Sequence, residues 1–459
     1  MNTKALEMEK QILARYEAGT GISKILHERA KKVFPGGVTR NIAHLYPYPT
    51  FMEKGGGCWL YDYDGNKYLD LLNDYTAILH GHNDADITAA AGEQLQKGTI
   101  LTAPSRLQTD FAELLCSRIE SMDQIRFANS GTEATFYAIR LARAFTQKPK
   151  FIKMDFGFHG SHDAVEWYAG PDCDDRGLPL GIPENPGIPE STRENVVFAR
   201  FNDLPSVELA LTSHKGQIAA LIVEPVLGTG GVIPPAPGFL EGCRRLADQY
   251  EALLIFDEIV SLRFAEGGFQ SLAGVKPDLT TIGKIIGGGF AIGAFGGRKD
   301  IMALVDPNLP EGQCISHSGT FTGANIVMAA GLAAMKKYDS AAASRLNALG
   351  DRLRVGISHA FQKTGIRGQA TGYGSVLGIH WTDAPIVTGM DAMIGQIGSG
   401  NMATLLNLEL LNRGVCIYAR GGCALSTPTT EVEIDHVIRV FEETLEMLKP
   451  CAENQGLTR

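Results

Sequence analysis

The spacing of apolar positions changes several times along this chain. Residues 4–33 read as helix carrying charges of both signs, and Pro35-Gly36-Gly37 ends it. The run WLYDYDGNKYLDLL (59–72) reads as two strand-like segments about Asp64-Gly65, a favoured hairpin turn. Helical spacing returns over 84–97 and 105–121. From about residue 125 the pattern alternates. IRFAN (125–129), KFIKMD (150–155), AALIVEP (219–225), ALLIFDE (252–258) and DLTTIG (278–283) read as strands. TEATFYAIRLARAFT (132–146) and FLEGCRRLADQYE (239–251) read as helices between them. Continuous apolar strands alternating with helices predict an α/β fold with a mostly parallel sheet covered on both faces. NSGT, EP, DE and GK fall at carboxyl ends of such strands, where open α/β sheets bind ligands.

A further helix is expected over 324–338. The remainder, with strand-like GSVLGIHW (374–381), reads as a smaller α+β domain. The expected organisation is a large domain over 76–338 and a small one over 339–459, joined by the segment 1–75. Residues 171–195, rich in Pro, Gly and Asp, read as a long connection without periodicity, and such loops are often functional.

Composition narrows the partners. At 459 residues the chain exceeds what one hydrophobic core usually serves. Its formal charge is −9 and it has no long Lys/Arg run, which argues against nucleic acid or an anionic membrane as partner. No stretch approaches the roughly 18 uninterrupted apolar residues of a spanning helix. The opening residues mix charges and lack the apolar core of a signal peptide. Eight scattered cysteines without a CxxC pair indicate neither zinc nor a disulfide framework, and read as reduced thiols of a cytoplasmic enzyme. The 53 glycines cluster between apolar runs, where glycine permits close backbone approach. His27, His44 and His436 form no constellation and read as structural.

Three features carry candidate chemistry. Asn129-Ser130-Gly131-Thr132 lies between a strand and a helix. It is either an anion site of backbone N–H groups and hydroxyls or a plain helix N-cap. Asp257 closes a buried apolar strand, as a helix cap, a metal ligand or the partner of a buried cation, and no neighbouring ligand set favours metal. Lys284, in TIGKIIGGG (281–289), follows a strand and precedes a glycine cluster; it is either solvated or held where backbone approaches a ligand.

In this order, together with GVTR (37–40), WLYDYDGNKYLD (59–70), GH (81–82), FHG (158–160), EP (224–225) and HSGTF (317–321), these features resemble fold-type I, class III aminotransferases along essentially the whole chain. The resemblance implies a large domain with a mostly parallel central sheet, a smaller α+β domain, and pyridoxal 5'-phosphate (PLP) as cofactor. Lys284 corresponds to the Schiff-base lysine, a nucleophilic amine that also shuttles a proton. Asp257 corresponds to the carboxylate that keeps the pyridine nitrogen protonated. Ser130, Gly131 and Thr132 are implied phosphate ligands, Phe158 and Ile259 flank the ring, and Glu224 joins the cofactor-side hydrogen bonds. Thr320 is implied to reach the phosphate of a neighbouring subunit in a homodimer. GKIIGGGFAIGAFGG resembles glutamate-1-semialdehyde aminomutases. Asn73-Asp74-Tyr75-Thr76-Ala77 and Tyr418-Ala419-Arg420-Gly421 resemble β-amino-acid aminotransferases, and NDYTA stands where the aminomutases carry a tryptophan-containing segment. In that subgroup Arg40 would hold the common carboxylate. Arg420 would hold the second carboxylate of a dicarboxylic acceptor, swinging away on a loop freed by its glycines. The expectation is transfer of the amino group of a β-amino acid such as β-phenylalanine to 2-oxoglutarate or pyruvate. The alternatives are a 2,1-aminomutase and a PLP-binding protein without turnover.

Overall fold

The computed structural model describes residues 3–459, which form two compact units. The larger spans Ala85–Ser344 with Ile386–Met390. It is built on seven strands: β1 (Gln124–Ala128), β2 (Lys150–Met154), β3 (Val196–Ala199), β4 (Ile218–Val223), β5 (Leu253–Asp257), β6 (Leu279–Gly283) and β7 (Gly293–Gly297). Their order across the sheet is β1-β7-β6-β5-β4-β2-β3. All run parallel except β7, which is antiparallel to β6 and β1. Strands β3 to β7 are buried at every position, which is why they read as unbroken apolar or small-residue runs. Helix α1 (Gly131–Thr146) lays Ala134, Ala138, Leu141 and Ala142 on the core beside Phe151, Ile222, Ile255 and Phe295. Truncating a buried aromatic such as Phe295 to alanine typically costs about 3–5 kcal/mol.

Strand β7, GAFGG, has poor intrinsic β propensity, and packing dictates it. A Cβ at Gly293 would lie 2.0 Å from the Ser130 carbonyl oxygen, so only glycine lets this strand approach the head of α1.

The 171–195 stretch differs from the expectation of an unpatterned loop. Trp167–Cys173 pairs antiparallel with Pro179–Pro183, and Glu190–Arg193 forms one helical turn. The returning strand PLGIP conceals itself because Pro and Gly disfavour strands; a two-stranded ribbon has open edges on which Pro is tolerated. Lys153 ties this excursion to the sheet. It is buried on β2, and its ammonium donates to the carbonyls of Val165 (2.5 Å) and Trp167 (2.7 Å), with Glu184 at 3.4 Å.

The smaller unit comprises the chain through Asp84, Arg345–Pro385 and Asp391–Arg459. The expected hairpin is present: Trp59–Asp62 pairs with Lys67–Asp70 around Gly65, inside a four-stranded sheet with Met52–Gly56 and Val415–Cys416. Gln369–Tyr373, Val376–His380 and Gly422–Ala424 form a second sheet. The N-terminal helix breaks at Thr20 into Thr3–Gly19 and Gly21–Ala30. Among the described residues no helix is long and apolar enough to cross a membrane.

Candidate active site

In the larger unit, register places the candidate residues along one edge of the sheet. Val223 pairs with Phe256 and Asp257 with Thr281, so Glu224, Asp257 and Lys284 lie at the carboxyl ends of three adjacent parallel strands. Gly293 pairs with both Gly283 and Ala128, which brings the Asn129–Thr132 turn to that edge too. The FHG segment leaves β2 at the same end.

Asp257 is 3% exposed. Its Oδ2 lies 2.8 Å from His159 Nδ1, and its Oδ1 accepts from Thr281 Oγ1 (3.1 Å) and from Ile259 N–H (3.2 Å). Burial lowers the His159 pKa against the opposing pull of Asp257, so the ring is neutral and bonds the carboxylate by donating. His159 is the residue that reading the sequence overlooked. Its only signal was its place inside FHG. The adjacent acid, Glu258, points the other way, as alternation on a strand requires. It is consumed structurally by Phe269 N–H (2.7 Å), Gln270 N–H (2.9 Å) and Ser261 Oγ (2.8 Å).

Glu224 is buried and accepts from Phe158 N–H (2.8 Å) and Gly228 N–H (3.1 Å). Burial first, then the nearby Asp257 charge, push its pKa up to about 8, while Lys284 opposes the rise. Lys284 is half-buried and adopts φ +47, a left-handed conformation that non-glycine residues avoid. Strain of this kind persists only where surroundings over-determine it, and it concentrates at functional positions.

Ser130 caps α1, accepting from Glu133 N–H at 3.2 Å. The cap occupies an acceptor site and leaves the hydroxyl proton, so the cap and anion-site readings coexist at this residue. Thr132 Oγ1 accepts from Ser161 N–H (3.2 Å). The Ile259 side chain lies against Gly131 and Gly283, between the α1 turn and the lysine strand: a Cβ at Gly131 would be 2.5 Å from Ile259 Cδ1. Phe158 is 43% exposed, unusual for an aromatic beside so buried a cluster. Thr320 is exposed, in a turn whose Thr322 Oγ1 accepts from Asn129 Nδ2 (3.4 Å).

An amine, a buried carboxylate, a helix N-terminus with hydroxyls and an open aromatic therefore share one edge. That donor set complements a phosphorylated, cationic aromatic aldehyde: amine for carbonyl, carboxylate for ring nitrogen, α1 for phosphate. PLP fits it.

Arg40 and Arg420 belong to the smaller unit. Arg40 Nη2 pairs with Asp74 Oδ1, and its guanidinium carbon lies 4.9 Å from the centroid of the Tyr75 ring. Asn73, Asp74, Tyr75 and Thr76 are all left-handed, with φ of 49, 44, 56 and 77°. Such residues cost roughly 1–2 kcal/mol each, so the turn must be held by its surroundings. Buried Asp70 accepts from Leu72 N–H (2.9 Å), Asn73 N–H (2.8 Å) and His82 Nε2 (2.7 Å). The Asn73 amide donates to Asp70 O (3.0 Å) and Ala424 O (2.6 Å). Three bonds to the Asp70 carboxylate, at about 1.5–3 kcal/mol each, and two neutral ones, at about 1 kcal/mol each, are of the size needed. The rings of Tyr75 and Tyr418 meet edge-on at 5.7 Å. Arg420 differs from the expectation of a free loop. Gly421 N–H donates to Tyr418 O (2.7 Å) and Tyr418 N–H to Gly422 O (2.9 Å), closing a hairpin turn with Gly421 at φ +90. A bulge of this type demands glycine, so Gly421 pins the backbone rather than loosening it.

Residues 42–445 match the family model Aminotransferase class-III. A glutamate-1-semialdehyde 2,1-aminomutase of Methanothrix thermoacetophila is 40% identical over 364 residues, 79% of this chain and 82% of that one. An omega-transaminase from Sphaerobacter thermophilus is 37% identical with a TM-score of 0.89, covering 94% of this chain and 98% of its own. A β-phenylalanine aminotransferase from Variovorax paradoxus is 32% identical with a TM-score of 0.88, covering 97% and 98%. The chain belongs to the class III aminotransferases, PLP-dependent enzymes that move amino groups between amino and keto acids.

Proposed function

We propose that this enzyme transfers the amino group of a β-amino acid, such as β-phenylalanine, to 2-oxoglutarate or pyruvate, as a cytoplasmic homodimer. The observation that carries the reading lies in the smaller unit. Three sequence-distant segments, GVTR, NDYTA and YARGG, come together there through Arg40, Tyr75 and Tyr418. The last two are the segments that resemble β-amino-acid aminotransferases, and a β-phenylalanine aminotransferase is among the similar structures.

When bound, PLP supplies an aldehyde to take the amino group and a ring to accept electron density. In this reading Lys284 Nζ would take the proton from the amino-bearing carbon and deliver it to the carbon that was the cofactor's aldehyde, so that the nitrogen stays with the cofactor. Asp257, aligned by His159, keeps the ring nitrogen protonated. Ser130, Gly131 and Thr132 bind phosphate, with Thr320 of the opposite subunit. Phe158 and Ile259 cover the ring faces, and Glu224 holds the Phe158 backbone. Arg40 receives the carboxylate common to all substrates, and Arg420 the second carboxylate of a dicarboxylic acceptor.

Exposed apolar residues support a second copy beside Thr320. Phe321 is 68% exposed, and Leu101, 49% exposed, lies two residues from Thr99, whose carbonyl accepts from Ile326 N–H. Eight unpaired cysteines fit a reducing compartment.

A second reading, a glutamate-1-semialdehyde 2,1-aminomutase, is favoured by the 40% identity to one. One comparison separates them. Enzyme mixed with β-phenylalanine and 2-oxoglutarate should yield glutamate. Conversion of glutamate 1-semialdehyde without any acceptor, and no glutamate from the first mixture, would establish the aminomutase instead.

A further inference from the structure

We propose that the left-handed turn Asn73–Thr76 is a positioning device for Arg40, and that Asp74 is the residue that sets this arginine for carboxylate recognition. The inference rests on the reading of Arg40 as the carboxylate-binding residue and adds how that residue is aimed.

Strain points to placement rather than stability. Four consecutive non-glycine residues at positive φ are unfavourable, and Tyr75 and Thr76 lack the short amide or carboxylate that eases this conformation. The chain holds them there with a buried scaffold. Asp70, 1% exposed, anchors the entry to the turn and is itself fixed by His82, while Asn73, fully buried, ties the turn to the Ala424 carbonyl. The visible product of this scaffold is a contact that contributes little to stability. Arg40 and Asp74 are 53% and 46% exposed, and exposed ion pairs are weak. A strained element, firmly supported, whose ion pair with Arg40 adds little stability points to a positioned functional group.

The geometry shows what is delivered. Asp74 engages one terminal nitrogen, Nη2. The Tyr75 ring lies beneath the guanidinium, and its hydroxyl donates to the Ile42 carbonyl (2.9 Å), two residues beyond Arg40. The plane and one edge of the guanidinium, and the backbone two residues beyond Arg40, are thus each held by the turn. Single attachment at Nη2 leaves donors for a two-bond fork to a second carboxylate. Preorganisation of this kind lowers the entropy lost when ligand binds, and so appears in KM rather than in kcat.

The test is a double-mutant cycle on the holoenzyme, with Asp74→Ala, Arg40→Ala and the double variant. KM and kcat are measured for β-phenylalanine and for 2-oxoglutarate. Asp74→Ala is expected to raise both KM values about five- to tenfold with kcat within about twofold of wild type. In the Arg40→Ala background the same change should have no further effect, because the residue acts through Arg40. Asp74→Asn, which keeps an acceptor but not the charge, should recover part of the loss. Effects that multiply in the double variant, or that fall on kcat, overturn the proposal. So does an unchanged KM in Asp74→Ala while Arg40→Ala is impaired. If Arg40→Ala itself leaves both KM values intact, the carboxylate assignment of Arg40 fails, and that failure is seen separately.

Discussion

His159 Nδ1 sits 2.8 Å from Asp257 Oδ2, with neither side chain more than 2% exposed. A neutral imidazole bonds a carboxylate only by donating to it, so His159 fixes which way Asp257 faces. A hydrogen bond to a charged group is worth about 1.5–3 kcal/mol. His159→Ala should therefore fold and retain some PLP yet lose roughly ten- to a hundredfold in kcat. Steady-state kinetics alongside the visible absorbance of the bound cofactor measure both. Rates close to wild type would remove His159 from the site.

Glu224 provides a pH test independent of turnover. Its pKa rises from 4.5 to about 8 in the folded chain, chiefly through burial and then through Asp257. Between those values the folded form holds a proton that the unfolded form has released. This contribution to stability is complete below about pH 4.5 and is lost as pH rises through about 8, with a slope of at most about 1.4 kcal/mol per pH unit. Glu224→Gln keeps an acceptor but does not titrate. Urea unfolding of the cofactor-free protein from pH 5 to 8 should show a shallower fall in midpoint for the variant. Identical profiles would mean that Glu224 titrates normally.

Thr320 is exposed beside Phe321, and in the proposed dimer it reaches a neighbour's phosphate. Thr320→Ala should weaken PLP retention, and Lys284→Ala should abolish turnover. Mixed dimers of the two would contain one site with both residues intact if Thr320 acts across the interface. Some activity should then return on mixing two weak or inactive parents. Demonstrated subunit exchange without recovery counts against the shared site.

Much of the larger unit was legible because its signals are local. Glu224, Asp257 and Lys284 each follow a buried apolar run, and strand ends in a parallel sheet share an edge. What escaped depends on distant partners. Nothing near GAFGG announces a strand, since the head of α1 and the Asp278 carbonyl demand its glycines. The division of labour between Asp257 and Glu258 follows from alternation but needs the sheet's faces to assign it. The pairing of His159 with Asp257 spans 98 residues. NDYT contains no glycine, so its left-handed backbone is visible only through its anchors at Asp70 and Ala424.

Arg420 tests the substrate class most sharply. Its backbone is pinned at both sides by the Tyr418–Gly422 turn, and its carbonyl accepts from Gln396 Nε2 at 3.1 Å. Any swing between a dicarboxylic acceptor and an apolar donor must therefore come from side-chain torsions, while the Cα stays in place. The side chain is exposed and long enough for that. Arg420→Ala should raise KM for 2-oxoglutarate steeply and spare pyruvate, which has no second carboxylate. Losing one partner of a desolvated bidentate pair commonly costs 2–5 kcal/mol, so about thirtyfold or more is expected. Arg40→Ala should instead impair both acceptors, because each brings the common carboxylate. Because the turn rather than the side chain fixes the backbone, Arg420→Lys should fold equally well and recover only part of the 2-oxoglutarate affinity, a point charge lacking the planar fork. Kinetics with both acceptors for all three variants decide the matter. Equal losses for 2-oxoglutarate and pyruvate in Arg420→Ala would sink the two-carboxylate assignment and shift weight to the aminomutase reading, which needs no external acceptor.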